Sequence, residues 1–121
     1  LKTVSILGAT GSIGQSTLDL VMRSPETYQV LALTAAQDVA GLAAVARASN
    51  AKLAVIADET LYEALKAALF GTGTIVAAGS QALVDAAHLD ADWTMAAIVG
   101  CAGLAPTLAA LERGKTVALA N

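Results

Sequence analysis

Nine residues near the start constrain the fold of this chain more than any others: Ile6-Leu7-Gly8-Ala9-Thr10-Gly11-Ser12-Ile13-Gly14. A short apolar run enters a turn with glycines at 8, 11 and 14, and a segment of helical periodicity leaves it. The order is strand, tight turn, helix start. A helix entered this way leaves its first backbone amides unpaired and pointing outward, where an anion can meet them. Glycine suits such a turn because the chain bends sharply and must lie close to a bound pyrophosphate. The spacing is G-x-x-G-x-x-G, a variant of the dinucleotide fingerprint, with Thr10 where the second glycine of that fingerprint stands.

The same alternation continues along the chain. Strands are predicted at Thr3 to Leu7, Val30 to Thr34, Leu53 to Ala57, Thr74 to Ala77, Thr94 to Val99 and Thr116 to Ala120. Helices are predicted between them. The first opens at Ser12 or Ile13 and carries Ile13, Thr17, Leu18, Val21 and Met22 as its stripe. The second is capped by Asp38 and turns Val39, Leu42, Val45 and Ala46 inward; Gly41 within it costs about 1 kcal/mol against alanine. A third spaces Leu61, Leu65 and Leu69 by four, a short fourth is capped by Ser80, and the last begins near Pro106. Strands alternating with helices give right-handed crossovers and a parallel sheet. The expected fold is α/β: a Rossmann-like doubly wound parallel sheet, three layers αβα, formed by residues 1–121 as one NAD(P)-binding domain. The expected strand order is 3-2-1-4-5-6, with the ligand crevice where the order reverses, between strands one and four.

Composition narrows the function classes. Hydrophobic residues make up 56% and charged ones 14%, which excludes a disordered chain. The net charge of -3 and seven Lys+Arg supply no basic face for nucleic acid. No uninterrupted apolar run reaches the roughly 18 residues of a membrane span. Cys101 is the one cysteine, which fits a reducing, cytoplasmic setting without a disulfide framework. The last strand is followed by no helix, so a piece of a longer protein is expected.

Three groups of residues converge on the carboxyl edge of such a sheet: Gly8 to Gly14, Ala35 to Asp38, and Gly100 to Gly103. Thr10, Gly11, Ser12 and Ile13 offer amides, and two of them hydroxyls, to a pyrophosphate. The loop Gly14-Gln15-Ser16 lacks the lysine of a Walker site, which argues against that mode of ATP or GTP binding. The second strand ends without the acid that binds a ribose 2′-hydroxyl in NAD sites, leaving room for a 2′-phosphate; yet Gln37-Asp38 brings no cation to it. Asn121 points at the same edge. His88 reads as a surface or capping residue and Cys101 as packing. Asp90 and Asp92 read as solvated turn residues rather than metal ligands. No acid–base pair, metal cluster or activated nucleophile is visible, so no catalytic residue is assigned.

The opening Val4 to Asp19, the run Ala96-Ala97-Ile98-Val99-Gly100-Cys101-Ala102-Gly103-Leu104 and the end Gly114-Lys115-Thr116-Val117-Ala118-Leu119-Ala120-Asn121 together resemble the N-terminal part of 1-deoxy-D-xylulose 5-phosphate reductoisomerase. The three stretches occur in that family's order and spacing, and the resemblance covers essentially the whole chain. It implies an NADPH-binding domain of a homodimeric enzyme. That enzyme rearranges and reduces 1-deoxy-D-xylulose 5-phosphate, a sugar phosphate, to 2-C-methyl-D-erythritol 4-phosphate for isoprenoid synthesis. It implies cofactor contacts at Thr10, Gly11, Ser12 and Ile13, adenosine-side contacts at Ala36, Gln37 and Asp38, and Asn121 facing the nicotinamide. Gln37 departs from the basic residue that many members carry, and Asp38 from an amide. The family's divalent cation (Mg, Mn or Co) and substrate phosphate are held in a later domain, so this segment alone is expected to be inactive. The cofactor domain of an aspartate-semialdehyde or dihydrodipicolinate type of dehydrogenase, and a ligand-free interaction module, are the alternatives.

Overall fold

The computed structural model describes residues 1–97, 104–112 and 116–119. The elements are β1 (Lys2–Leu7), α1 (Ser12–Met22), β2 (Tyr28–Ala35), α2 (Val39–Ser49), β3 (Leu53–Ile56), a short 3-10 turn (Glu59–Leu61), α3 (Tyr62–Ala68), β4 (Ile75–Ala78), α4 (Ser80–Ala87), β5 (Trp93–Ala96), α5 (Leu104–Glu112) and β6 (Thr116–Leu119). Every strand pairing is parallel, and the order across the sheet is β4-β3-β2-β1-β5-β6.

Alternation along the strands sends one set of side chains to each face. Val4 and Ile6 of β1 join Leu18 and Val21 of α1, Leu42 and Ala46 of α2, and Leu65 of α3 in one apolar cluster. On the other face Leu83 and Ala86 of α4 meet Ala32 and Val55, while Ala87 of α4 and Ala109 of α5 meet Leu7. The sheet is thus covered on both sides, and the apolar runs of its strands follow from that. Each fully buried Leu or Ile contributes about 2 kcal/mol by leaving water. Between Val4 and Ser5 the pairing with β2 slips from Val30 to Ala32, so β2 holds one extra residue, Leu31. This bulge keeps Val30 and Leu33 on the same face although they are three apart.

The doubly wound architecture is as expected, but the strand order differs from 3-2-1-4-5-6. β4 lies outside β3, and the strand beside β1 is β5. The cause is α3, which packs in the same apolar cluster as α1 and α2 through Leu65. A right-handed crossover on that face carries the chain one strand further outward. α4 is the first helix to pack on the opposite face, and it returns the chain to the centre. Strand strength agrees: Ile75 of β4 is 67% exposed, as befits an edge. The reversal of order therefore falls between β1 and β5.

Two residues, Ser80 and Asp92, also differ from expectation. Ser80 is the first helical residue of α4 rather than its cap; Gly79, at φ 103, takes the cap position. Asp92 is not simply solvated. It accepts the Thr3 amide at 2.8 Å and returns its own amide to the Thr3 hydroxyl at 3.0 Å, tying the start of β5 to β1.

Candidate functional site

The turn after β1 opens at the switch point, beside β5, and its shape is set by β2. Gly8 sits at φ 86, a conformation that disfavours any residue with a Cβ. Its amide donates to the Thr34 hydroxyl at 2.9 Å, and the Ala9 amide donates to the Thr34 carbonyl at 2.7 Å. Thr34 is 1% exposed, so one buried residue of β2 holds two consecutive amides of the turn. Those amides are spoken for; the anion-facing donors begin beyond them.

Gly14 brings α1 down onto this turn. A methyl there would fall on the Gly8 carbonyl oxygen and 2.8 Å from Ala9 Cα. Gly11 has a different part. It caps α1 in extended conformation (φ -76, ψ 169) and offers no side chain to the helix amides. A Cβ there would lie 3.9 Å from its nearest neighbour, so the space in front of the helix is open. The first turn of α1 carries no acidic residue. The N-terminal end of its dipole, about half a positive charge, is therefore uncompensated by the helix itself. Thr10 is half-buried, Ser12 and Ile13 are exposed, and Gln15 Nε2 steadies the turn through the Thr10 carbonyl at 2.7 Å. The arrangement presents backbone donors and a positive dipole end to a diphosphate. Ile13 was expected in the core stripe; at 46% exposure it lies instead at the mouth of the site.

The loop after β2 forms the neighbouring wall. Ala36, Gln37 and Asp38 are all exposed. Asp38 caps α2 as expected, its Oδ1 accepting the Gly41 amide at 2.9 Å. This cap also explains the glycine in α2, because a methyl at Gly41 would run into the Asp38 carboxylate. The loop is bound to the end of β3: the Ala57 amide donates to the Ala35 carbonyl at 2.9 Å and the Asp58 amide to the Ala36 carbonyl at 3.2 Å. Asp58 accepts the Thr60 amide at 3.0 Å and the Thr60 hydroxyl at 2.6 Å. The Thr60 hydroxyl and amide, with the Gln37 side chain, hold the Asp58 carboxyl below its ordinary value. Neither 36–38 nor 57–61 contains a lysine or arginine.

Sequence reasoning missed Thr34, Gln15 and Asp58. A threonine at the carboxyl end of a central strand was the available signal for the first. The other two depend on tertiary contacts. Asn121, Cys101 and the Gly100 to Gly103 turn lie outside the described residues. His88 is the C-cap of α4 and faces Glu112 of α5 at 3.8 Å on the surface, in keeping with a capping role. A cavity of about 510 Å³ lies at the opposite edge of the sheet, where Lys2, Tyr28, Trp93 and Thr116 begin or adjoin their strands. None of its lining residues belongs to the glycine turn or to the loop 36–38. Among the described residues no group of three His, Cys, Asp or Glu is gathered as a metal site requires, and no helix is long and apolar enough to cross a membrane.

Comparison with known proteins follows the same lines. The sequence profile of the family described as 1-deoxy-D-xylulose 5-phosphate reductoisomerase matches residues 4–121. The enzyme of that name from Zymomonas mobilis is 62% identical over 120 residues, which cover 99% of this chain and 31% of that protein. Its solved structure, in complex with NADPH, superposes with a TM-score of 0.97, covering 99% of this chain and 32% of that one. A second solved reductoisomerase, in complex with NADPH, fosmidomycin and magnesium, is 39% identical with a TM-score of 0.93, covering 100% of this chain and 30% of that one. The chain thus spans about a third of the length of the relatives it matches.

Proposed function

The chain belongs to the 1-deoxy-D-xylulose 5-phosphate reductoisomerase family, and from that premise we propose that it is the N-terminal, NADPH-binding domain of such an enzyme. The whole enzyme then converts 1-deoxy-D-xylulose 5-phosphate to 2-C-methyl-D-erythritol 4-phosphate in isoprenoid synthesis, as a cytoplasmic homodimer. The dehydrogenases of other types named above lose their ground with this membership. One observation of the structure carries the reading. The N-terminus of α1 has neither a side-chain cap nor an acidic first turn, and it opens at the switch point beside β1.

The residues fit a dinucleotide. Thr10, Gly11, Ser12 and Ile13 would hold the pyrophosphate by their amides, assisted by the Thr10 and Ser12 hydroxyls. Ala36, Gln37 and Asp38 would line the adenosine side, and Asn121 the nicotinamide side. NADPH supplies a hydride when bound; this chain's part is to fix where the cofactor lies and which end faces the substrate. The divalent cation and the substrate phosphate are assigned to the rest of the enzyme. The chain alone is accordingly expected to oxidise no NADPH when offered the sugar phosphate.

Ser12→Glu tests this reading, because it separates binding from stability. A carboxylate in the first turn of α1 favours the helix by about 0.5 kcal/mol. The same carboxylate occupies the place of the pyrophosphate and repels it. The expected result is an unchanged or raised melting temperature with NADPH affinity lowered at least about a hundredfold, roughly 3 kcal/mol. A variant that binds NADPH as well as the wild type would place the cofactor elsewhere.

A further inference from the structure

We propose that Thr34 is a positioning residue for the cofactor's pyrophosphate, a role that rests on the dinucleotide reading above and deepens it. Without touching the cofactor, its hydroxyl holds the glycine turn in the shape that aims the amides of residues 10–13 at the phosphates.

Two consecutive peptide units meet at Gly8, whose φ is 86. The first unit, 7–8, is held from both neighbouring strands. Its carbonyl, on Leu7, accepts the Ala97 amide at 2.8 Å, and its amide, on Gly8, donates to the Thr34 hydroxyl at 2.9 Å. The second unit, 8–9, has its amide, on Ala9, bonded to the Thr34 carbonyl at 2.7 Å. Its carbonyl, on Gly8, lies against Gly14, where an added methyl would strike it. Thr34 therefore grips both units, one with its side chain and one with its backbone. A glycine gripped on both sides of a positive φ cannot relax to the negative φ it otherwise adopts as readily.

The effect reaches the pyrophosphate donors through α1. Gly14 rests on the Gly8 carbonyl, so the position of unit 8–9 sets where the N-terminus of α1 stands over the sheet. Thr34 also leads within two residues into Ala36, Gln37 and Asp38, the adenosine side of the same site. One residue thus fixes the span between the two parts of the site.

The backbone bond is open to any residue at position 34, but the bond to the Gly8 amide needs an acceptor on the side chain. Valine has the shape of threonine and suits a strand, yet it lacks that acceptor. Thr34 is 1% exposed, so its hydroxyl sits at a depth where an unbonded polar group is costly. The Gly8 amide accounts for its presence there.

The experiment is calorimetric titration of the 121-residue chain with NADPH, each variant being checked for folding by circular dichroism. Thr34→Val is expected to bind NADPH about tenfold more weakly, the scale of one lost hydrogen bond. Thr34→Ser, which restores the acceptor, should stay within about twofold of the wild type. Val30→Ala is the control: it removes buried methyls at the other end of β2 and costs stability without reaching the turn. It too should stay within about twofold. A folded Thr34→Val chain that binds as tightly as the wild type would overturn the proposal. So would a loss as large in Thr34→Ser, or an equal loss in Val30→Ala, because strand stability alone would then account for it. Should Thr34→Val fail to fold, Thr34→Cys against Thr34→Ser makes the same comparison, since the two differ only in the acceptor atom. About fivefold weaker binding by Thr34→Cys is then expected, and equal binding would overturn the role. A folded wild-type chain that takes up no NADPH would strike the dinucleotide reading as well, whereas the other adverse outcomes strike Thr34 alone.

Discussion

The three glycines of the opening turn have three separate reasons to be glycine. Gly8 needs its positive φ, Gly14 has no room for a methyl, and Gly11 has room but stands where a ligand would approach. Substitution by alanine should therefore split them. Gly14→Ala forces α1 off the turn and should cost about 3 kcal/mol in urea unfolding, at the upper end of overpacking effects. Gly11→Ala should leave stability within about 0.5 kcal/mol while weakening NADPH. Equal destabilisation by the two would contradict the packing described. The motif and its order were legible in the sequence; the division of labour was not, because it depends on which atoms face each glycine. Asp58 adds a pH dependence at the same scale. Its folded value is lowered, so the stability it contributes is present above its unfolded value and is lost as pH falls through the lowered one. Asp58→Asn should be less stable than the wild type at neutral pH, and the gap should close as pH falls below about 4, as followed by unfolding from neutral into acid pH; a gap that stays constant would contradict this.

Among elements, α2 shows how a sequence-level cost is set by a neighbour. The glycine at 41 weakens a helix by about 1 kcal/mol against alanine, yet a methyl there would meet the Asp38 carboxylate and displace it from its capping position. Asp38→Ala should lose about 1 kcal/mol of cap. Gly41→Ala should destabilise in the presence of Asp38 and stabilise by up to about 1 kcal/mol in its absence. A double-mutant cycle by thermal unfolding checks this, and additive effects would exclude the clash. The Asp38 cap, the Leu65 and Leu69 face of α3, and the Leu83 anchor of α4 were all readable from spacing, since helical periodicity reports burial directly. The Ser80 cap was not, because Gly79 adopts a positive φ that no spacing records.

For the whole molecule, periodicity told strand from helix and therefore gave the doubly wound class. It did not give the strand order. Local pattern says nothing of the face on which α3 packs, and that face decides whether β4 moves outward or returns. A partial signal existed: the apolar run Thr94 to Val99 is longer than Ile75 to Ala78 and better suited to the sheet centre. The consequence for the site is favourable, since β5 adjoins β1 and brings its carboxyl end directly beside the glycine turn. Thr34 belongs to this scale too, because it couples β2 to the turn across the sheet. The central claim is that this arrangement binds a dinucleotide. Its most direct test is calorimetric titration of the folded 121-residue chain, checked by circular dichroism, with NADPH. The account predicts saturable one-site binding that Ser12→Glu abolishes without loss of fold. A folded chain that takes up no NADPH, or a Ser12→Glu variant that still binds it, would contradict the account.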